Sequence, residues 1–150
     1  MYDAFKLLAS SATYVNLESC QIINNDGSTV MLEKILEAVP NLEEFDYSFK
    51  TDNFVNAKNM LDFKNLGNLK KLKLWRIPEA FNLDDFSTFI KDRSDFHFCL
   101  IFNNNISDEY KNQLDVLVDA IIESQIPTRF IAYDGQDEKK RKIMNERYRR

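Results

Sequence analysis

A nine-residue phrase occurs twice in this chain and limits what it can fold into. Residues 39–47 read Val-Pro-Asn-Leu-Glu-Glu-Phe-Asp-Tyr, and residues 66–74 read Leu-Gly-Asn-Leu-Lys-Lys-Leu-Lys-Leu. Leu42, Phe45 and Tyr47 align with Leu69, Leu72 and Leu74, an apolar spacing of three and then two. The copies are offset by 27 residues. A unit of that length holds one strand and one helix and cannot bury its apolar face alone. Stacking on a like neighbour supplies the missing contacts and leaves an extended surface suited to binding other molecules. The repeat points to a binding module rather than to an enzyme.

Strands and helices alternate along the remaining text. Strands are predicted at Tyr14–Leu17, Glu44–Phe49, Lys71–Trp75, Phe96–Phe102 and Arg129–Tyr133. Met31, Leu32, Ile35, Leu36 and Val39 recur at helical spacing, with Ser28 or Thr29 available as the cap and Pro40 as the stop. Phe54, Ala57, Met60 and Leu61 suggest a short helix, weakened by the asparagines around them. Asn82 with Asp85 opens a helix carrying Leu83, Phe86, Phe89 and Ile90. Ser107 caps the strongest helical pattern, with Tyr110, Leu114, Leu117, Val118, Ile121 and Ile122 on one side.

Equating Val15, Phe45, Leu72, Phe98 and Phe130 gives offsets of 30, 27, 26 and 32 residues. That is a degenerate array close to the 20–29-residue period of leucine-rich repeats. The expected fold is α/β: a short leucine-rich-repeat-like solenoid of about five parallel strands, each followed by a helix on one side. Residues 1–135 form that domain, and residues 136–150 are read as a separate basic tail, solvated and partly helical.

Charge and chemistry narrow the function. Residues 1–135 carry 13 basic and 21 acidic groups, whereas residues 136–150 carry seven basic and three acidic. An acidic body disfavours nucleic acid as the main partner, because a phosphate backbone needs a positive footprint. Salt-dependent binding through Lys139–Lys142 and Arg147–Arg150 is the nucleic-acid alternative. Cys20 and Cys99 make neither a disulfide framework nor a metal site. No apolar run approaches the ~18 residues of a membrane span, and no signal peptide opens the text. The expected location is cytoplasmic, with the nucleus as the alternative. Gly27, Gly67 and Gly135 are too far apart for a phosphate loop. Asp84-Asp85 complements a helix dipole. His97 lies in an apolar strand; a small α/β enzyme using it with Cys99 or Asp95 is the catalytic alternative. Neither a catalytic residue nor a cofactor is expected.

Strand alternation selects the candidate surface. With Phe45, Tyr47, Leu72 and Leu74 turned toward the helices, Glu44, Asp46, Lys71, Lys73 and Trp75 face outward. The same register sends His97, Cys99 and Ile101 outward on the fourth strand, and Arg129, Ile131 and Tyr133 on the fifth. Glu44 and Asp46 then oppose Lys71 and Lys73, as simple cross-strand pairs would. Trp75, Ile101 and Tyr133 fall in one row that resembles the aromatic anchors of protein interfaces. The competing account has loops or the tail folding over that row.

Asn68-Leu-Lys-Lys-Leu-Lys-Leu74, Ile77-Pro-Glu-Ala-Phe-Asn-Leu-Asp-Asp-Phe-Ser-Thr-Phe-Ile90, Ile106-Ser-Asp-Glu-Tyr-Lys-Asn-Gln-Leu114 and Val118-Asp-Ala-Ile-Ile-Glu123 carry a further likeness. As a set they resemble the C-terminal region of nematode F-box proteins, over residues 31–135. The resemblance implies a module that selects a protein substrate for ubiquitination. In such proteins an N-terminal F-box docks on the Skp1-type adaptor of a cullin ubiquitin ligase. This chain departs from that plan: residues 1–30 contain no proline, and no F-box opening is seen. The expectation is therefore either a fragment of such an adaptor or a scaffold that binds partners without recruiting a ligase.

Overall fold

The computed structural model of the chain describes residues 2–50, 62–63 and 66–149. Its elements are α1 (Tyr2–Ala9), β1 (Tyr14–Leu17), α2 (Leu32–Glu37), β2 (Glu44–Ser48) and β3 (Lys71–Ile77). They continue with α3 (Leu83–Ile90), β4 (His97–Phe102), α4 (Asp108–Ser124), β5 (Arg129–Ala132) and α5 (Glu138–Tyr148). The strands form one sheet in chain order, β1-β2-β3-β4-β5, and every neighbouring pair is parallel. The fold is α/β with an all-parallel five-stranded sheet. When strand order never reverses, crossovers of one hand bring each helix back to the same face.

The doubled phrase works as a register key. Phe45 pairs with Leu72 and Tyr47 with Leu74. The rows continue to Val15 and Leu17 on one side and to Phe98 and Leu100 on the other. All eight side chains are buried. Leu42 and Leu69, the leading residues of each copy, are buried just before their strands. Above these rows the helices deliver aromatic rings. Phe86 of α3 meets Phe98 edge-on at 5.0 Å, and Tyr110 of α4 lies 5.8 Å from Phe102. The Tyr110 hydroxyl donates to the Phe81 carbonyl at 2.7 Å, so a buried polar group is satisfied.

Two helix starts follow the sequence. Asn82 Oδ1 accepts from the Asp85 N–H at 3.0 Å, and Ser107 Oγ accepts from the Tyr110 N–H at 3.2 Å. The first start does not. Met31 occupies the cap of α2 with no side-chain bond. Ser28 instead donates to Asp26 within a turn, and Thr29 bridges Ile23. The short helix expected around Phe54, Ala57, Met60 and Leu61 lies outside the described residues.

The fifth strand is one residue out of the expected register. Phe98 pairs with Arg129, not with Phe130, so Arg129 and Ile131 face the helices while Phe130 and Ala132 face away. Arg129 is held inside by its hydrogen bonds. Its guanidinium donates to the carbonyls of Phe96 and Ile90 at 3.4 Å and to that of Arg93, and it lies 5.5 Å above the Phe98 ring. These are carbonyls at the end of α3 and in the turn into β4. A buried cation is tolerable when its donors are used this fully. Thr128, at φ 65, sets the phase as the chain enters β5.

The basic segment is not a free tail. In α5, Met144 is 1% exposed, and Lys140 bridges Asp115 at 2.9 Å and Asp119 at 2.8 Å on α4. Arg147 donates to the Ile122 carbonyl at 2.7 Å. On the opposite side of the sheet, Tyr148 stacks 5.9 Å from Phe130. A helix touching both layers covers the β5 edge, whose backbone groups would otherwise invite another strand.

Arg129→Met should destabilise the protein by about 2–3 kcal/mol in urea denaturation, since charged hydrogen bonds to buried carbonyls are lost. An outward-facing arginine at this position would give a change near zero.

Candidate functional site

The face turned away from α2, α3 and α4 is laid out in three rows. The first runs Tyr14–Glu44–Lys71–His97 and the second Asn16–Asp46–Lys73–Cys99–Phe130. In the third, Ser48 pairs with Trp75 and Ile101 pairs with Ala132, with a bulge between the two pairs. Of the eleven residues expected on this face, Arg129 and Ile131 are turned to the helices, while Glu44, Asp46, Lys71, Lys73, Trp75, His97, Cys99 and Ile101 are there. Tyr133 is not. It follows β5 on the helix side, 6% exposed, with its hydroxyl 3.4 Å from Asp115. Burial, reinforced by Asp115, pushes that hydroxyl up to about 12. Tyr133 braces α4 instead of anchoring a partner, because the shift of β5 moves every side chain of that strand to the other face. Ala132 takes its place in the row.

The charged rows divide in two. Lys71 and Glu44 form a half-exposed ion pair at 3.1 Å, which accounts for both as a cross-strand contact of a few tenths of a kcal/mol. Asp46 sits deeper, 8% exposed, and its Oδ2 accepts from Tyr14 Oη and Asn16 Nδ2, each at 3.4 Å. Burial raises the Asp46 carboxyl above its usual range, with Lys73 and the Tyr14 hydroxyl opposing the shift. Cys99 is 7% exposed; burial lifts its thiol to about 11, with Lys73 working against the shift and Asp46 with it. It is therefore a neutral thiol at pH 7, not the thiolate that nucleophilic chemistry uses. Cys20 and Cys99 are both free.

The third row carries a feature that alternation alone misses. Leu74 pairs with Leu100, but Ile77 pairs with Phe102, so three steps along β3 match two along β4. The extra residue is absorbed at Trp75 and Arg76, with Arg76 in the left-handed region at φ 55. The bulge turns the Arg76 side chain out to solvent and returns Ile77 to the core, where it is fully buried. It also opens a cavity of about 570 Å³ at the C-terminal ends of the strands. Trp75, Arg76 and Ile101 line it beside Ser48 and Asn103, with Glu18 across from them. Trp75 Nε1 is buried without a hydrogen-bond partner among the described residues. A clue lay in the text: strict alternation from Leu72 and Leu74 would send Arg76 inward and Ile77 outward. Phe130, Ala132 and Tyr148 also belong to this face and were missed, the first two through the register of β5.

Among the described residues, no cluster of three His, Cys, Asp or Glu side chains could hold a metal, and no helix is long and apolar enough to cross a membrane.

Two measurements test these assignments. Because the folded Asp46 carboxyl is raised, its stabilising contribution is present at low pH and lost as pH rises through the raised value. Asp46→Asn should therefore be more stable than the parent at pH 7 in urea denaturation, the difference closing as pH falls toward 4. Arg76→Gly should gain about 0.5–1 kcal/mol, because glycine adopts this backbone without a Cβ clash. Comparison with protein-family models, with curated proteins and with solved structures gives no match to this chain.

Proposed function

We propose that this chain is a non-enzymatic protein-binding module of leucine-rich-repeat-like type, acting as the substrate-recognition part of an F-box adaptor of a cullin-type ubiquitin ligase. The observation that carries the binding reading is the third row. Trp75 and Ile101 lie side by side, partly exposed, on a sheet face that α2, α3 and α4 leave uncovered. Parallel sheets are ordinarily covered on both faces by helices, so a face that α2, α3 and α4 do not reach, with a tryptophan at its rim, suits a partner. The doubled phrase and the strand-helix alternation support a repeat scaffold whose role is to present that face. The ligase assignment rests on the resemblance of residues 31–135 to nematode F-box proteins. A stand-alone scaffold without ligase recruitment is the second reading.

Proteins captured from extract should be recovered at least tenfold less well by Trp75→Ala and by Ile101→Ala, as removal of a central anchor costs ~2 kcal/mol. Tyr133→Phe, altered on the helix side, should retain them. Equal recovery by all variants removes the surface from consideration. Co-elution of the purified chain with a Skp1-type adaptor would support the ligase branch.

A further inference from the structure

Two consecutive residues of β3 carry a local energetic cost. Arg76 holds a left-handed backbone that disfavours a Cβ by about 1–2 kcal/mol. Trp75 keeps an indole N–H buried with no acceptor among the described residues, which costs on the order of 1–3 kcal/mol. Such costs cluster where a fold gives up stability for a task. Both residues line the same cavity, whose volume of about 570 Å³ lies in the range that accommodates a ligand group. It sits at the carboxyl ends of the parallel strands.

The chemistry of the walls selects an occupant. Arg76 is exposed and forms no ion pair among the described residues, although acidic residues outnumber basic ones in the body of the chain. Trp75 and Ile101 supply an apolar wall, and Asn103 and Asn104 add amides at the rim. Asn103 uses its Oδ1 on the Asn105 N–H at 3.1 Å, leaving its side-chain NH2 as a donor. Glu18, with no ion pair of its own among the described residues, faces the same space. A cation on one wall and a carboxylate on another admit one acidic group and repel a second.

Resting on the reading of this face as a protein-binding surface, we infer that the cavity takes an extended segment of a partner protein bearing a single acidic side chain. The carboxylate pairs with Arg76, and a neighbouring apolar side chain packs on Trp75 and Ile101. Arginine suits the first role because its planar fork can hold a carboxylate through two parallel hydrogen bonds. Arg76 can make these contacts only through the bulge, since regular pleating would turn its side chain into the core. The strain at this position is thereby tied to recognition.

The test uses the full chain, immobilised, and end-capped degenerate decapeptides carrying a fixed central Asp, Glu, Lys or Ala. The parent should retain the Asp and Glu pools about tenfold better than the Lys pool. Arg76→Gly, expected to fold at least as well as the parent, should bring the pools level, and Arg76→Glu should invert the ratio. Glu18→Gln should improve retention of peptides with two adjacent acids while leaving the singly acidic pools unchanged. An acid-to-lysine ratio that is the same in the parent, Arg76→Gly and Arg76→Glu overturns the inference, as does failure of the parent to retain any pool. Either result leaves the wider reading standing if captured proteins still depend on Trp75; loss of that dependence as well brings both down.

Discussion

Everything in this molecule hangs on lateral matching of apolar rows between parallel strands. Val15, Phe45, Leu72 and Phe98 form one continuous line across four strands, and Leu17, Tyr47, Leu74 and Leu100 form the next. Each strand is only four to seven residues long and would be marginal alone. A slip of one residue in any pair would exchange core and solvent faces together, so the apolar line fixes the register as well as the core. Because the line sets which atoms face the helices, it also decides which residues are left for a partner.

The same logic explains what was legible in the text and what was not. The strand at Tyr14–Leu17, the Asn82 and Ser107 caps and the pairing of the two phrases were readable, because each follows from local chemistry or a repeated pattern. The phase of β5 was not. Phe130 and Ile131 are adjacent apolar residues, and a rule that sends charge outward chooses Phe130 for the core. Arg129 defeats that rule by finding three backbone carbonyls at the close of α3 and in the turn that follows. Those carbonyls come together only once β4 and α3 are in place. The loss of Tyr133 from the outer row is a direct result. The docking of the basic helix was hidden for a similar reason: its acidic partners, Asp115 and Asp119, lie more than twenty residues upstream. Only Met144 marks its buried side.

The outer face shows how a parallel sheet is arranged on the side that α2, α3 and α4 do not reach. An all-apolar face would be sticky, and an all-charged one would repel itself across strands. Here the first row contains the Glu44–Lys71 ion pair, while Asp46 of the middle row accepts from Tyr14 and Asn16. Asp46, Ser48, Cys99 and Ala132 are each below a tenth exposed on a face that α2, α3 and α4 do not reach. Tyr148 extends over Phe130 at the far edge and closes that end. The two edges of the sheet are consequently unlike. The β5 side is sealed by α5, whereas the β1 side is a four-residue strand with Tyr14 half exposed. A strand so short offers little template for pairing with another chain.

What remains available is the rim at the end of β3. Regular alternation would have placed a charged residue in the core at Arg76 and an apolar one in solvent at Ile77. The bulge reverses both with a single added residue, and the alternatives differ sharply in cost. Burying an unpaired guanidinium costs several kcal/mol, whereas one left-handed residue costs about 1–2. The bulge is thus the stable solution for this order of residues, quite apart from any partner. Recognition would then exploit a distortion that folding already requires. Glycine at Arg76 would give the same turn without strain; the arginine is the part that folding does not demand, and the charge it adds at the cavity mouth is what a binding role accounts for.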